Sequence, residues 1–313
     1  MNSYNENNIQ TEPYVPDLKR KRKNRIKEGV LDRSIGVLNI ALLFAFVLIV
    51  VLPLLSYFSL AFSDPYFNDE ITIFPTHFTL KSFEYILMGD QAKLFWRSFL
   101  NSVIITLVVT VVSNLVEALA AYPLSKPDCP FRGGIMMYFI ITMLFSAGII
   151  PCYLLMSQLK LLNNIWSVIL ISISNVGNLL LFKTFFEGVS TEIQEAAKID
   201  GASDIQMFFR IMIPMALPVF GSCCFFTIVG MWNGYGAAML FISSSSEDAY
   251  PLAYYIYLLL SRAALDKDDS FVLMGMKNIQ AAAMLLSIIP IICIYPFVIK
   301  YIKGGLQIGS VKG

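Results

Sequence analysis

Six long stretches of this chain carry almost no charge, and they leave it few folds to adopt. Residues 36–63, 133–159, 161–182, 211–246 and 278–299 hold no Asp, Glu, Lys or Arg, and 98–125 holds only Glu117. A helix needs roughly 20 apolar residues to cross the hydrocarbon core of a bilayer. Inside lipid the backbone must satisfy its own hydrogen bonds, so isolated runs of this length read as helices rather than strands. Composition agrees, with 57% hydrophobic and 14% charged residues, where a soluble domain carries about a quarter charged. The predicted fold class is an all-α integral membrane protein with six transmembrane helices, near 36–61, 98–123, 134–158, 163–184, 217–242 and 279–301. Pro53, Pro151, Pro290 and Pro296 lie inside these runs, and membrane helices tolerate proline. The first apolar run is too long, and too far from Met1, for a cleaved leader, so a retained helix is expected.

Six spans put both termini on one side, and the basic residues assign that side. Sixteen of the 23 lysines and arginines fall with the termini, eight of them between Lys19 and Arg33. Lys and Arg are enriched on the cytoplasmic side of membrane proteins. A multi-pass protein of a bacterial cytoplasmic membrane with both termini inside is therefore expected. The segment 1–35 is its basic cytoplasmic arm, with the Asn-rich 1–16 expected to be disordered. Topology anchoring accounts for the arm, and a lipid- or nucleic-acid-binding role is the other use of such a run. Residues 304–313 form a cytoplasmic tail. The loops 64–97 and 243–277 face outward, and 187–210 faces the cytoplasm. The five cysteines show no metal-ligand or redox spacing and read as small hydrophobes.

The cytoplasmic loop is the most informative segment. From Glu192 it reads EIQEAAKIDGASDIQMFFRIMIPMALP. Glu195, Ala196, Ala197 and Lys198 favour helix, Gly201 can end it in a left-handed conformation, and Ser203 with Asp204 can start another. Phe208, Ile211 and Met212 then make an apolar stripe, and Pro214 and Pro218 turn the chain into span five. A helix–turn–helix at 188–216 is predicted on these grounds alone. Without further information it is a surface loop lying on the headgroups.

Glu195, Ala196, Ala197, Asp200, Gly201, Ala202, Phe208, Ile211, Pro214 and Pro218 resemble the EAA signature of binding-protein-dependent ABC importer permeases. The likeness extends through the body: Asn101, Ser102, Ala120, Ala121 and Tyr122 in span two, Pro151 and Tyr153 in span three, Trp232 and Asn233 in span five. The ending GGLQIGSVKG is similar to the tail of the maltose-type carbohydrate permeases. Ser190 and Ala237–Ala238 stand where prolines are common in that family. The resemblance implies a non-enzymatic transport subunit carrying a sugar or oligosaccharide, with a permease for a non-sugar solute as the alternative. It implies as partners a second homologous permease subunit, a cytoplasmic ABC ATPase dimer, an extracellular solute-binding protein and membrane lipid, with no nucleic acid. It implies no cofactor in this chain, ATP and Mg being bound by the ATPase. It makes Glu195, Ala196, Ala197, Asp200, Gly201, Ala202, Phe208, Ile211 and Pro214 the ATPase-coupling residues.

A polar cargo needs polar partners inside the membrane. In span two Ser102, Thr106, Thr110, Ser113 and Glu117 fall within roughly an 80° sector at about 100° per residue. In span four Asn164, Ser167, Ser174 and Asn178 share a face roughly 60° wide by the same geometry. Thr106, Thr110, Ser113, Glu117, Ser174 and Asn178, with Trp232 and Asn233, are the candidate translocation-path residues. The competing reading is interhelical hydrogen-bonding glue, and for Glu117 snorkelling towards the inner face. The acidic loop 243–277 resembles the segment that meets the binding protein in maltose-type permeases, and could equally be a solvated acidic loop. A membrane enzyme would need clustered acids, histidines or a nucleophile, but the sole histidine is His77. No Walker A sequence is present, so ATP hydrolysis is not expected of this chain. A self-sufficient secondary transporter would show inverted repeats and mid-membrane ionisable groups, which are not apparent.

Overall fold

A computed structural model describes the backbone at residues 30–64, 73–89, 92–265 and 270–309, and the side chains at 34–64, 73–89, 92–261 and 275–296. The basic run from Lys19, the disorder expected of 1–16, the acidic residues Asp266, Asp268 and Asp269, and residues 310–313 lie outside these. The helices in chain order are α1 (Val30–Ala61), α2 (Lys81–Met88), α3 (Ala92–Ser125), α4 (Arg132–Leu144), α5 (Ile149–Gln158), α6 (Ile165–Ser172) and α7 (Val176–Glu187). They continue with α8 (Thr191–Ile199), α9 (Asp204–Met207), α10 (Ile213–Met215), α11 (Leu217–Asn233), α12 (Gly236–Phe241), α13 (Leu252–Leu265) and α14 (Ser270–Gly309). The one β contact among the described residues is a bridge between Ser63 and Phe78.

Four of these helical stretches are long and apolar enough to cross a membrane, and two bent pairs raise the number to six. The six-span expectation therefore agrees with the upper count, but three of the runs are bent or interrupted and the sixth runs on past its expected end. Span three is α4 and α5, bent by 106° across Phe145–Gly148. Span four is α6 and α7, interrupted at 173–175. Span five ends as a helix at Asn233 and resumes as α12, where a Cβ on Gly234 would lie 2.8 Å from the Gly230 carbonyl oxygen. Span six runs on to Gly309, so the backbone of 304–309, expected as a tail, is helical.

The chain divides at Pro53 into two compact units. In the first, the described side chains of α1, from Ser34 to Leu52, are exposed around the helix. In water that would be untenable; in lipid it costs nothing. The second unit is built around α3. Its most apolar window is 44% buried, against 33% for span four and 22% for α14, which makes α3 the central mast. Phe95 near its start packs with Ala61, Ile86, Trp232, Leu252, Tyr255 and Ala281–Ala283. Ile105 and Val109 in its middle pack with Val168, Ile169, Ala238 and Tyr250. Ala118, Ala121 and Tyr122 near its end pack with Phe182, Phe186, Met207 and Phe208. The fully buried alanines at 118, 121 and 281–283 allow the backbones to approach closely, as small residues do between membrane helices.

Candidate functional site: a helix–turn–helix, a polar column and a polar cavity

The segment 188–216 folds as helix, tight turn, helix. Ser190 caps α8 by accepting from the Glu192 amide (3.2 Å). The helix ends at Asp200, and Gly201 follows at φ +79°, the left-handed region that glycine enters without steric penalty. The Ala202 amide then donates back to the Ala197 carbonyl (2.9 Å). Ser203 and Gln206 form a reciprocal capping box that starts α9. A π-helical turn, Phe208–Met212, widens the next register, a feature frequent at functional positions. The chain then bends by 77° into α11.

Burial divides the predicted coupling residues into two groups. Glu195, Ala196, Asp200 and Gly201 are exposed on the turn, as is Pro214 beyond it, while Ala197 and Phe208 are buried and Ala202 and Ile211 half-buried. Phe208 packs 5.3 Å from the Tyr122 ring centroid of α3, and Tyr122 meets Phe186 edge-on at 6.1 Å. Lys126, one residue beyond α3, places Nζ 2.6 Å from Asp204 Oδ1 and 4.3 Å above the Tyr122 ring. The hydrogen bond and charge of Lys126 hold the Asp204 carboxyl below its usual range. Burial pushes the Lys126 ammonium down, but the Asp204 carboxylate and the Tyr122 side chain more than offset this and raise it. Glu187 at the end of α7 pairs with Arg132 and with Lys183 (2.7 Å). Ile199 and Ile205, at 86% and 72% exposed, project from either side of the turn.

The stripe on α3 faces the protein interior. Ser102, Thr106, Thr110, Ser113 and Glu117 are all buried, together with Asn101 and Asn114. Towards the start of α3 the Ser102 hydroxyl accepts from the Leu252 amide (2.7 Å), and the Asn101 amide donates to the carbonyls of Asp248 (2.7 Å) and Tyr250 (3.0 Å). Towards its end Glu117 Oε1 accepts from the Asn175 amide (2.8 Å) at the break between α6 and α7. Asn114 and Asn178 both donate to Thr227 Oγ1, at 3.4 and 3.3 Å. Between these ties the side-chain oxygens of Thr106, Thr110 and Ser113, and Glu117 Oε2, are buried with no hydrogen-bond partner among the described residues.

The span-four stripe does not survive as one face, because Ser174 sits exposed in the helix break and Asn164 is the N-cap of α6. Trp232 is buried, donates Nε1–H to the Ser287 carbonyl (2.9 Å) and meets Phe99 edge-on at 5.7 Å. Asn233 is exposed and donates to the Val229 carbonyl (3.0 Å). Both border a cavity of about 280 Å³ with Tyr235 and Tyr257, whose rings stack at 4.7 Å. A second cavity, of about 460 Å³, lies among the start of α3, the start of α6 and the turn Glu247–Ala249.

No protein-family model matches the chain. It is 32% identical over 289 residues to the polygalacturonan/rhamnogalacturonan transport system permease protein YtcP of Bacillus subtilis (strain 168), covering 90% of this chain and 99% of that one. The chain belongs to the permeases of ABC transport systems. The arabinooligosaccharides transport system permease protein AraQ of Halalkalibacterium halodurans is 29% identical, with 86% of this chain and 94% of that one covered. A solved structure of a bacterial ABC transporter involved in the import of the acidic polysaccharide alginate superposes with a TM-score of 0.78 at 30% identity, covering 87% of this permease and 98% of that chain. The permease is thus a multi-pass transport subunit rather than an enzyme.

Several features of the permease that matter most are absent from the predicted residue set. The Lys126–Asp204 and Arg132–Glu187 pairs join positions 78 and 55 residues apart, and no local pattern announces them. Asn175 was legible: its side chain accepts from the Gly177 and Asn178 amides, and Asn before an apolar helical run is a start signal. Ile199 and Ile205, outside the apolar stripe read from the sequence, face away from the core.

Proposed function

We propose that this permease passes a sugar or oligosaccharide across the bacterial cytoplasmic membrane, termini inside, and that an ABC ATPase dimer drives it by gripping the turn 188–216. The single observation that carries the reading is the division of that turn. Glu195, Ala196, Ile199, Asp200, Gly201 and Ile205 present an exposed surface, while Ala197, Met207 and Phe208 root it in the aromatic cluster at the end of α3. A partner that seats the exposed isoleucines and moves the turn would therefore move α3. ATP and Mg reside in the ATPase, an extracellular binding protein delivers the cargo, and a second homologous permease completes the channel. The relatives named for polygalacturonan/rhamnogalacturonan, arabinooligosaccharides and alginate support a saccharide cargo.

Among the path candidates, Ser174 and Asn233 are exposed. Thr106, Thr110, Ser113 and Glu117 are buried, the three hydroxyls and Glu117 Oε2 without a partner among the described residues, and Asn178 and Trp232 tie helices together. The path reading for the enclosed group has α7 and α11 part from α3 during the cycle, which the unpaired oxygens make less costly because few hydrogen bonds break. Proteoliposomes holding the full complex decide the matter. Uptake of labelled oligosaccharide should require both ATP and the binding protein; uptake sustained by a proton gradient without ATP would refute the proposal.

A further inference from the structure

The 460 Å³ cavity at the outer end of α3 has polar walls and one aromatic face. Arg97, Asn101, Asn164, Trp166, Ser246 and Asp248 are among its lining residues. Its frame is rigid: Asn101 is tied to the Asp248 and Tyr250 carbonyls, Asn164 accepts from the Trp166 amide (3.2 Å) to cap α6, and Asn163 Oδ1 accepts from the Ser243 amide (2.8 Å). Several groups are left over. Arg97 uses only Nε, which donates to the Asp248 carbonyl (3.3 Å), so its two terminal nitrogens are uncommitted. Trp166 is 50% exposed. Asn164 spends its oxygen on the cap and keeps its amide hydrogens.

Resting on the saccharide reading above, we propose that this cavity is a subsite for a uronic-acid unit of the cargo, on the outer face of the permease. The uncommitted edge of a guanidinium matches a planar carboxylate bidentately, and a neutral sugar offers no such group. An exposed indole face takes the apolar face of a pyranose ring, and Asn164, Ser246 and the Asp248 carboxylate suit its hydroxyls. The volume falls within the roughly 300–1,000 Å³ of small-ligand sites. A protein-docking patch would instead offer a broad surface with an apolar centre, and here only Ile165, Trp166 and Ala249 are apolar.

The test uses the permease–ATPase complex in nanodiscs without binding protein, titrated calorimetrically with trigalacturonate and with maltotriose. Trigalacturonate should bind at least tenfold tighter. Arg97→Gln should abolish that preference, Arg97→Lys should reduce it, and Trp166→Ala should weaken both sugars. Equal affinities in the parent complex, or a preference untouched by Arg97→Gln, would overturn the subsite. So would an Arg97→Gln effect confined to association with the binding protein, since the face would then be a docking surface. Uptake by the complete complex separates this from the broader reading. If labelled oligosaccharide enters with an unchanged KM in Arg97→Gln, the subsite fails while the saccharide reading stands; if the parent complex takes up no saccharide, that reading itself fails.

Discussion

Asp204 sits directly after the cap of α9 and reaches the lysine that follows α3, so one carboxylate serves two helices. The pair is largely exposed on the Asp204 side, and such pairs contribute about 0.2–1 kcal/mol. Lys126→Glu should therefore shift the docking of the turn against α3 by at most about fivefold, lowering binding-protein-stimulated ATP hydrolysis, and Asp204→Lys in the same chain should restore it. The pH dependence follows from the two shifts. The Asp204 carboxyl is held below its usual 3.8, so its contribution is present above that value and is lost as pH falls through the depressed one. Lys126 is raised above 10.5, so its contribution is present below that value and lost as pH rises through the raised one. Stimulated hydrolysis should show no titration from this pair between about pH 5 and 9; a step there that Asp204→Asn removes would contradict the assignment. Glu117 makes a second residue-scale case. Glu117→Gln keeps an acceptor for the Asn175 amide, whereas Glu117→Leu strands that part-buried donor at up to about 1–3 kcal/mol. The leucine variant should lower the melting temperature of the solubilised permease, and the glutamine variant should not.

Among the helices, the turn between α8 and α9 depends on one backbone conformation. Gly201 has φ +79°, and nothing lies within 4 Å of a Cβ placed there. The Cβ of Gly201→Val therefore meets no neighbour, and the substitution adds left-handed strain of about 1–2 kcal/mol. Stimulated hydrolysis should fall while membrane insertion is unchanged, and Gly201→Asn should recover part of it because Asn tolerates that conformation. Gly201 and the Ser203 cap were legible in the sequence because turn and cap chemistry is local. So was the α3 stripe, since 100° per residue holds along the uninterrupted helix Ala92–Ser125, and Ser102 to Glu117 are buried together. The span-four stripe was misread for the converse reason. Its residues 173–175 are Ile-Ser-Asn, without Gly or Pro, so the interruption that resets the helical phase is marked only by Asn175, the N-cap of α7. Hydropathy detected the 134–158 run but not its 106° bend, because composition reports burial in lipid and not the direction of the axis.

At the scale of the whole molecule, α3 links what the other parts do separately. Its start borders the polar cavity, its middle carries hydroxyls with no partner among the described residues, and its end holds Tyr122 against Phe208 of the segment 188–216. A force applied to the turn 188–216 would reach the polar column through this one helix, with the Asn114–Thr227–Asn178 hydrogen bonds at the point where α7 and α11 meet it. The central claim for this permease is that this turn transmits the work of ATP hydrolysis to transport. The most direct measurement is the number of ATP molecules hydrolysed per oligosaccharide imported in proteoliposomes, for the parent permease and for Glu195→Arg and Gly201→Val. The prediction is a fixed ratio in the parent. In each variant, import should be lost along with stimulated hydrolysis, or the number of ATP molecules used per sugar should rise severalfold. An unchanged ratio and unchanged import in both variants would contradict it.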